Sequence, residues 1–107
     1  MPDIVTIPFF DFAAFTETIT LEDTQYILSF TWNSRGEFWV MSIQDLAQNE
    51  IVSGIKLILD LELLRKFPDR SLPPGKMYVF DVSGNTDPIK YDDFTNGRCD
   101  LVYENLI

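Results

Sequence analysis

Along most of this chain apolar and polar residues alternate with a period of two, the signature of half-buried β-strands. Residues 15–21 run Phe15-Thr16-Glu17-Thr18-Ile19-Thr20-Leu21, and Glu22-Asp23-Thr24 follows as a tight turn. Residues 26–32 place Tyr26, Leu28, Phe30 and Trp32 on one face. Residues 37–43 place Trp39, Met41 and Ile43 on one face and Phe38 and Val40 on the other. Between these two segments lies Asn33-Ser34-Arg35-Gly36, whose Asn and Gly tolerate positive φ. Three strands joined by two short turns predict a β-meander.

The second half is less regular. Residues 51–59 read as a fourth strand with Gly54 inside it, and a glycine in a strand marks a bulge or a sharp bend. Residues 60–67 read as a short helix: Asp60 as N-cap, Glu62 in the first turn, Arg65 and Lys66 in the last, and Pro68 as the stop. Residues 69–75 contain Pro73-Pro74-Gly75 and read as a loop. Residues 77–82 form a fifth strand, residues 83–88 a turn-rich loop, and Asn96-Gly97 a turn before a sixth strand at residues 99–103. Residues 1–12 carry Pro2 and Pro8 and read as an irregular N-terminal arm bearing Phe9, Phe10 and Phe12. The expected fold is mainly β: one domain over residues 1–107, a small antiparallel OB-like β-barrel of about six strands with one short helix between strands four and five.

Barrels of that kind bind oligonucleotides or sugars on one face, and composition bears on both. Eight Lys plus Arg against seventeen Asp plus Glu leave a net charge of −9. Such a surface repels a phosphate backbone and an anionic membrane, so neither nucleic acid nor membrane is an expected partner. The first fifteen residues hold no Lys or Arg, unlike a secretory leader, and no apolar run approaches the ~20 residues that span a bilayer. The chain has no His and a single Cys, Cys99, which removes the commonest general base, disulfide chemistry within the chain and Cys-cluster metal sites. Cys99 reads as a small buried apolar residue.

Candidate chemistry is sparse. No Ser or Cys has a His partner. The carboxylate pairs Asp92-Asp93 and Asp60/Glu62 read as solvated turns or caps, because neighbours on an exposed turn face different ways. Asp81, Ser83, Asn85, Asp87 and Asp92 fall at positions 1, 3, 5, 7 and 12 of a calcium-loop count, but Thr86 stands where the loop needs glycine. No metal, no cofactor and no catalytic residue is expected, and the chain is not expected to be an enzyme.

Several strings taken together resemble a known family. They are Phe30-Thr31-Trp32-Asn33 and Phe38-Trp39-Val40-Met41-Ser42-Ile43, then Ile51-Val52-Ser53-Gly54-Ile55-Lys56-Leu57, then Leu63-Leu64. They continue with Asp87-Pro88, Asp92-Asp93-Phe94 and Leu101-Val102-Tyr103, after an opening of Ile7-Pro8 and Gln25-Tyr26. Their order and spacing over roughly residues 5–104 is similar to the OB-like baseplate plug family of contractile-tailed bacteriophages, including cyanophages. The resemblance implies a structural protein of the virion tail baseplate, synthesised in the host cytoplasm. It implies several symmetry-related copies joining hub, tail tube and spike proteins. The interface residues expected on that reading are Phe9, Phe10, Phe12, Asp92, Asp93 and Phe94. For the three arm rings the alternative is packing on their own domain, and for the whole chain it is a small-ligand or carbohydrate-binding β-barrel.

Overall fold

A computed structural model describes residues 4–65, 72–84 and 87–105. The end of the expected helix and its Pro68 stop, part of the 69–75 loop and Asn85 of the calcium-like count lie outside these residues.

The meander forms as the alternation requires. Strands β2 (Ala14–Leu21), β3 (Thr24–Asn33), β4 (Phe38–Gln44) and β5 (Glu50–Lys56) build one antiparallel sheet in sequence order. Leu21 pairs with Thr24 across a two-residue turn in which Glu22 and Asp23 both take positive φ, 50° and 68°. That is the primed geometry that matches strand twist. Tyr26, Leu28 and Phe30 point into the core with Trp39, Met41 and Ile43, each at most 5% exposed. In the β3–β4 turn the Asn33 side-chain carbonyl accepts the amides of Arg35 and Gly36, but the positive φ falls on Glu37. Gly36 is needed for another reason: a Cβ there would run into the Phe38 ring.

The second sheet has the order β1-β7-β6, from β1 (Ile4–Ile7), β6 (Lys76–Asp81) and β7 (Cys99–Glu104), all antiparallel. Ile4-Val5-Thr6-Ile7, expected as part of an irregular arm, is therefore a strand. Tyr103 of β7 ties the sheets together: its hydroxyl donates to the Glu22 carboxylate in the β2–β3 turn and accepts the Gly75 amide at 2.5 Å. Gly75 is close enough that a Cβ would strike the Glu104 carbonyl and the Tyr103 ring.

Two expectations are corrected here. Among the described residues there is no helix, and residues 60–65 run as turns and irregular chain. Asp60 has φ 58°, which an N-cap does not adopt. The amides of this stretch serve the second sheet instead: Asp60 N–H donates to Val79 C=O and Leu63 N–H to Met77 C=O, both at 2.8 Å. Glu62 adds a side-chain acceptor for the Met77 amide at 3.1 Å. Leu63 and Leu64 are buried by this route. The barrel is also not closed. Past Gly54 (φ 74°) and a register shift between β4 and β5, the chain crosses from Trp39 of the first sheet to a single parallel bridge, Leu59 with Val79. No ladder joins β1 to β2 among the described residues. A closed barrel needs both seams hydrogen-bonded.

Candidate functional site

The arm between β1 and β2 is divided by its own rings. Phe9 turns inward. It stacks on Phe94 at a centroid distance of 4.0 Å and meets Phe15, Phe30 and Trp39 at 5.3, 4.6 and 5.3 Å. Phe12 N–H closes a tight turn onto Phe10 C=O at 2.9 Å, and this presents the other two rings outward. Phe10 meets Phe15 edge-on at 5.4 Å and is 47% exposed; Phe12 is 65% exposed.

Asp92, Asp93 and Phe94 are divided in the same way. Phe94 is buried beneath Phe9. Asp92 is exposed, and its carbonyl accepts Asn96 N–H and Thr95 Oγ1–H to make a turn. Asp93, expected on a solvated turn, is 5% exposed. Its carboxylate accepts the Lys90 amide at 2.7 Å and Arg98 Nη1–H at 2.5 Å.

Arg98, which sequence reasoning passed over, is the centre of this loop. Its Nε donates to Asp81 at 2.6 Å, and its Nη groups donate to Asp93 and to the carbonyls of Asp87 and Pro88. The hydrogen bond to Asp81 holds the guanidinium protonated above its ordinary range. A single basic residue before the last strand, after a stretch rich in Asp, was the available signal. The Asp81 carboxylate also accepts the amide and hydroxyl of Ser83. The first member of the calcium-like count is thus paired with a guanidinium. Cys99 is fully buried, and burial pushes its thiol up to about 11.

Two adjoining surface depressions of about 460 and 540 Å³ flank the 87–92 loop and share Glu37, Pro88 and Ile89. Trp32 and Tyr91 wall the larger one. Tyr91 stacks on Trp39 at 5.5 Å, and its carbonyl accepts Trp39 Nε1–H at 3.2 Å. The interior between the sheets is filled by Phe30, Trp39, Met77 and Tyr103, each at most 2% exposed.

The family described as cyanophage baseplate Pam3 plug gp18 matches residues 4–106. The chain belongs to this baseplate plug family. Membership gives it a structural role in the tail baseplate of a virion, in association with other baseplate or tail proteins. No curated protein matches it. Within the plug chain the rings divide into Phe9 and Phe94, which pack on each other and the core, and Phe10 and Phe12, which are exposed.

One plug residue has an unmet requirement. Glu17 lies on the inward face of β2 between Phe15 and Ile19, and its Oε2 is buried with no hydrogen-bond partner. Burial pushes its carboxyl up to about 7 from 4.5. A raised acid pKa means the folded state holds a proton that the unfolded state has released, so stability falls as pH rises from about 4.5 through 7. Glu17→Gln should therefore raise the melting temperature at pH 8 and leave it unchanged at pH 4. Solvent screening of this half-buried group keeps the expected gain to about 1 kcal/mol. Equal melting shifts at the two pH values would show that charge is not the cause.

Proposed function

We propose that this chain is a plug that packs against hub and tail-tube proteins at the tube end of the baseplate, in several symmetry-related copies. The match over residues 4–106 carries this reading. Its physical support is the pair of outward rings, Phe10 and Phe12, beside a fold held by other residues. Exposed aromatics supply much of the contact energy of permanent interfaces. The net charge of −9 suits a protein that works near passing DNA without holding it. Synthesis in the host cytoplasm and action without catalysis belong to the same proposal.

The test is the virion itself. Mass spectrometry of purified particles should find the chain in the tail fraction with hub and tube proteins. The double substitution Phe10→Ser, Phe12→Ser should fold with melting unchanged to within about 1 kcal/mol and be lost from particles. Each hot-spot ring costs roughly 2 kcal/mol or more of binding on truncation, so the loss should be clear. Normal particles from the double variant would remove these rings from the interface.

A further inference from the structure

Strand β2 lies at one edge of the first sheet. Ala14–Leu21 pairs with β3 in an unbroken register of eight residues and, among the described residues, carries no strand on its other side. Edge strands are normally blunted by Lys, Pro or a bulge. This one, Ala14-Phe15-Thr16-Glu17-Thr18-Ile19-Thr20-Leu21, has no Lys, Pro or bulge, and its one blunting device is the inward-pointing charge of Glu17. Thr16, Thr18 and Thr20 face outward and are exposed, while Phe15, Glu17 and Ile19 face inward and are only half-buried. At the middle of that inward row stands the buried Glu17 oxygen without a donor. A carboxyl oxygen withdrawn from water and left unpaired is costly, and for the ionised form a cationic donor is the strongest remedy.

A second copy pairing β2 with β2 offers Glu17 no cation. Side chains alternate between faces, so such pairing sets the inward rows Phe15, Glu17, Ile19 and Leu21 against each other. No cation is among them, and the two carboxylates would oppose. The chain as a whole has seventeen acidic residues against eight basic ones, which favours a basic partner.

We propose that β2 is a docking edge for an extended segment of a different protein, which adds a strand along Ala14–Leu21 and carries a lysine or arginine that reaches Glu17. Main-chain pairing along the edge supplies affinity, and the cation at one inward position supplies register and specificity. The inference rests on the reading that the chain works by packing against other proteins, but its test needs no virion.

The probes are two synthetic peptides of alternating threonine and valine, identical except that a central inward position is Lys in one and Glu in the other. Each is titrated into the full-length, nitrogen-15-labelled chain. The Lys peptide should shift amide resonances concentrated on Ala14–Leu21 and bind roughly tenfold more tightly than the Glu peptide, the size of one charge-assisted hydrogen bond. Glu17→Gln should keep the strand-edge shifts and erase most of that preference. Equal binding of the two peptides by the natural chain, or shifts centred away from β2, would overturn the proposal. So would self-association of the chain through β2, which would give the edge to a second copy. A chain that enters virions but shows no Lys preference keeps its role as a plug and loses this edge; one absent from virions that shows the preference does the reverse.

Discussion

Phe9→Ala is expected to lower the melting temperature by roughly 10–20 °C, whereas Phe10→Ala and Phe12→Ala should change it little. The three rings sit within four residues of one another, so the contrast comes from packing and not from position in the chain. Phe9 fills the space between the aromatic face of the first sheet, Phe15, Phe30 and Trp39, and the loop ring Phe94. Removing a large buried ring costs about 3–5 kcal/mol, and partial exposure of Phe9 puts the expected loss near 3 kcal/mol. Phe94→Ala should cost a similar amount. Because the two rings stack at 4.0 Å, the double variant should fall short of the sum by about 0.5–1.5 kcal/mol. Thermal unfolding followed by circular dichroism measures all five variants. A Phe9 variant that melts with the natural chain would show that the arm lies loose on the surface, and all three rings would then be free for a partner.

Much of this architecture is legible in the sequence because its strands are half-buried and their neighbours are local. Residues 15–43 alternate cleanly, their turns are short, and the observed strands differ from the expected ones by one or two residues. Where pairing is non-local the reading failed. Asp60-Leu61-Glu62-Leu63-Leu64 has the apolar spacing and charge order of a helix, but its amides are taken by Val79 and Met77, well separated in sequence. Ile4-Val5-Thr6-Ile7 is a run dominated by β-branched residues, a fair strand signal, yet Pro2 and Pro8 on either side and a length of four residues hid it. Closure of a barrel could not be read at all, since it depends on two seams formed by distant segments. The burial of Phe9, Phe10, Phe12, Asp92, Asp93 and Phe94 was not legible residue by residue. Which ring of Phe9, Phe10 and Phe12 turns inward is decided by Phe94 and Trp39, and which carboxylate of Asp92 and Asp93 is buried is decided by Arg98.

That last distinction carries the second large effect: Asp93→Ala should be among the most destabilising single changes on the surface-facing loops, and Asp92→Ala among the mildest. Asp93 is buried and its carboxylate accepts both the Lys90 amide and Arg98. Truncation leaves that amide without its acceptor and removes one of two carboxylates that hold the guanidinium over the 81–98 loop. Losing one partner of a buried charge-assisted network costs about 2–4 kcal/mol, or roughly 10–20 °C in melting temperature for a domain of this size. Asp93→Asn retains an oxygen for the Lys90 amide but not the ion pair, so it should fall between the alanine variant and the natural chain. The exposed Asp92 carboxylate makes no such contact among the described residues, and its truncation should stay within about 0.5 kcal/mol. Added salt separates this from a surface effect. Buried pairs are screened far less than exposed ones, so the gap between the Asp93 and Asp92 variants should persist in about 1 M sodium chloride, roughly seven times physiological ionic strength. If calorimetry finds the two alanine variants melting together, Arg98 holds the loop through Asp81 and the Asp87 and Pro88 carbonyls alone, and Asp93 returns to the set of residues open to a partner.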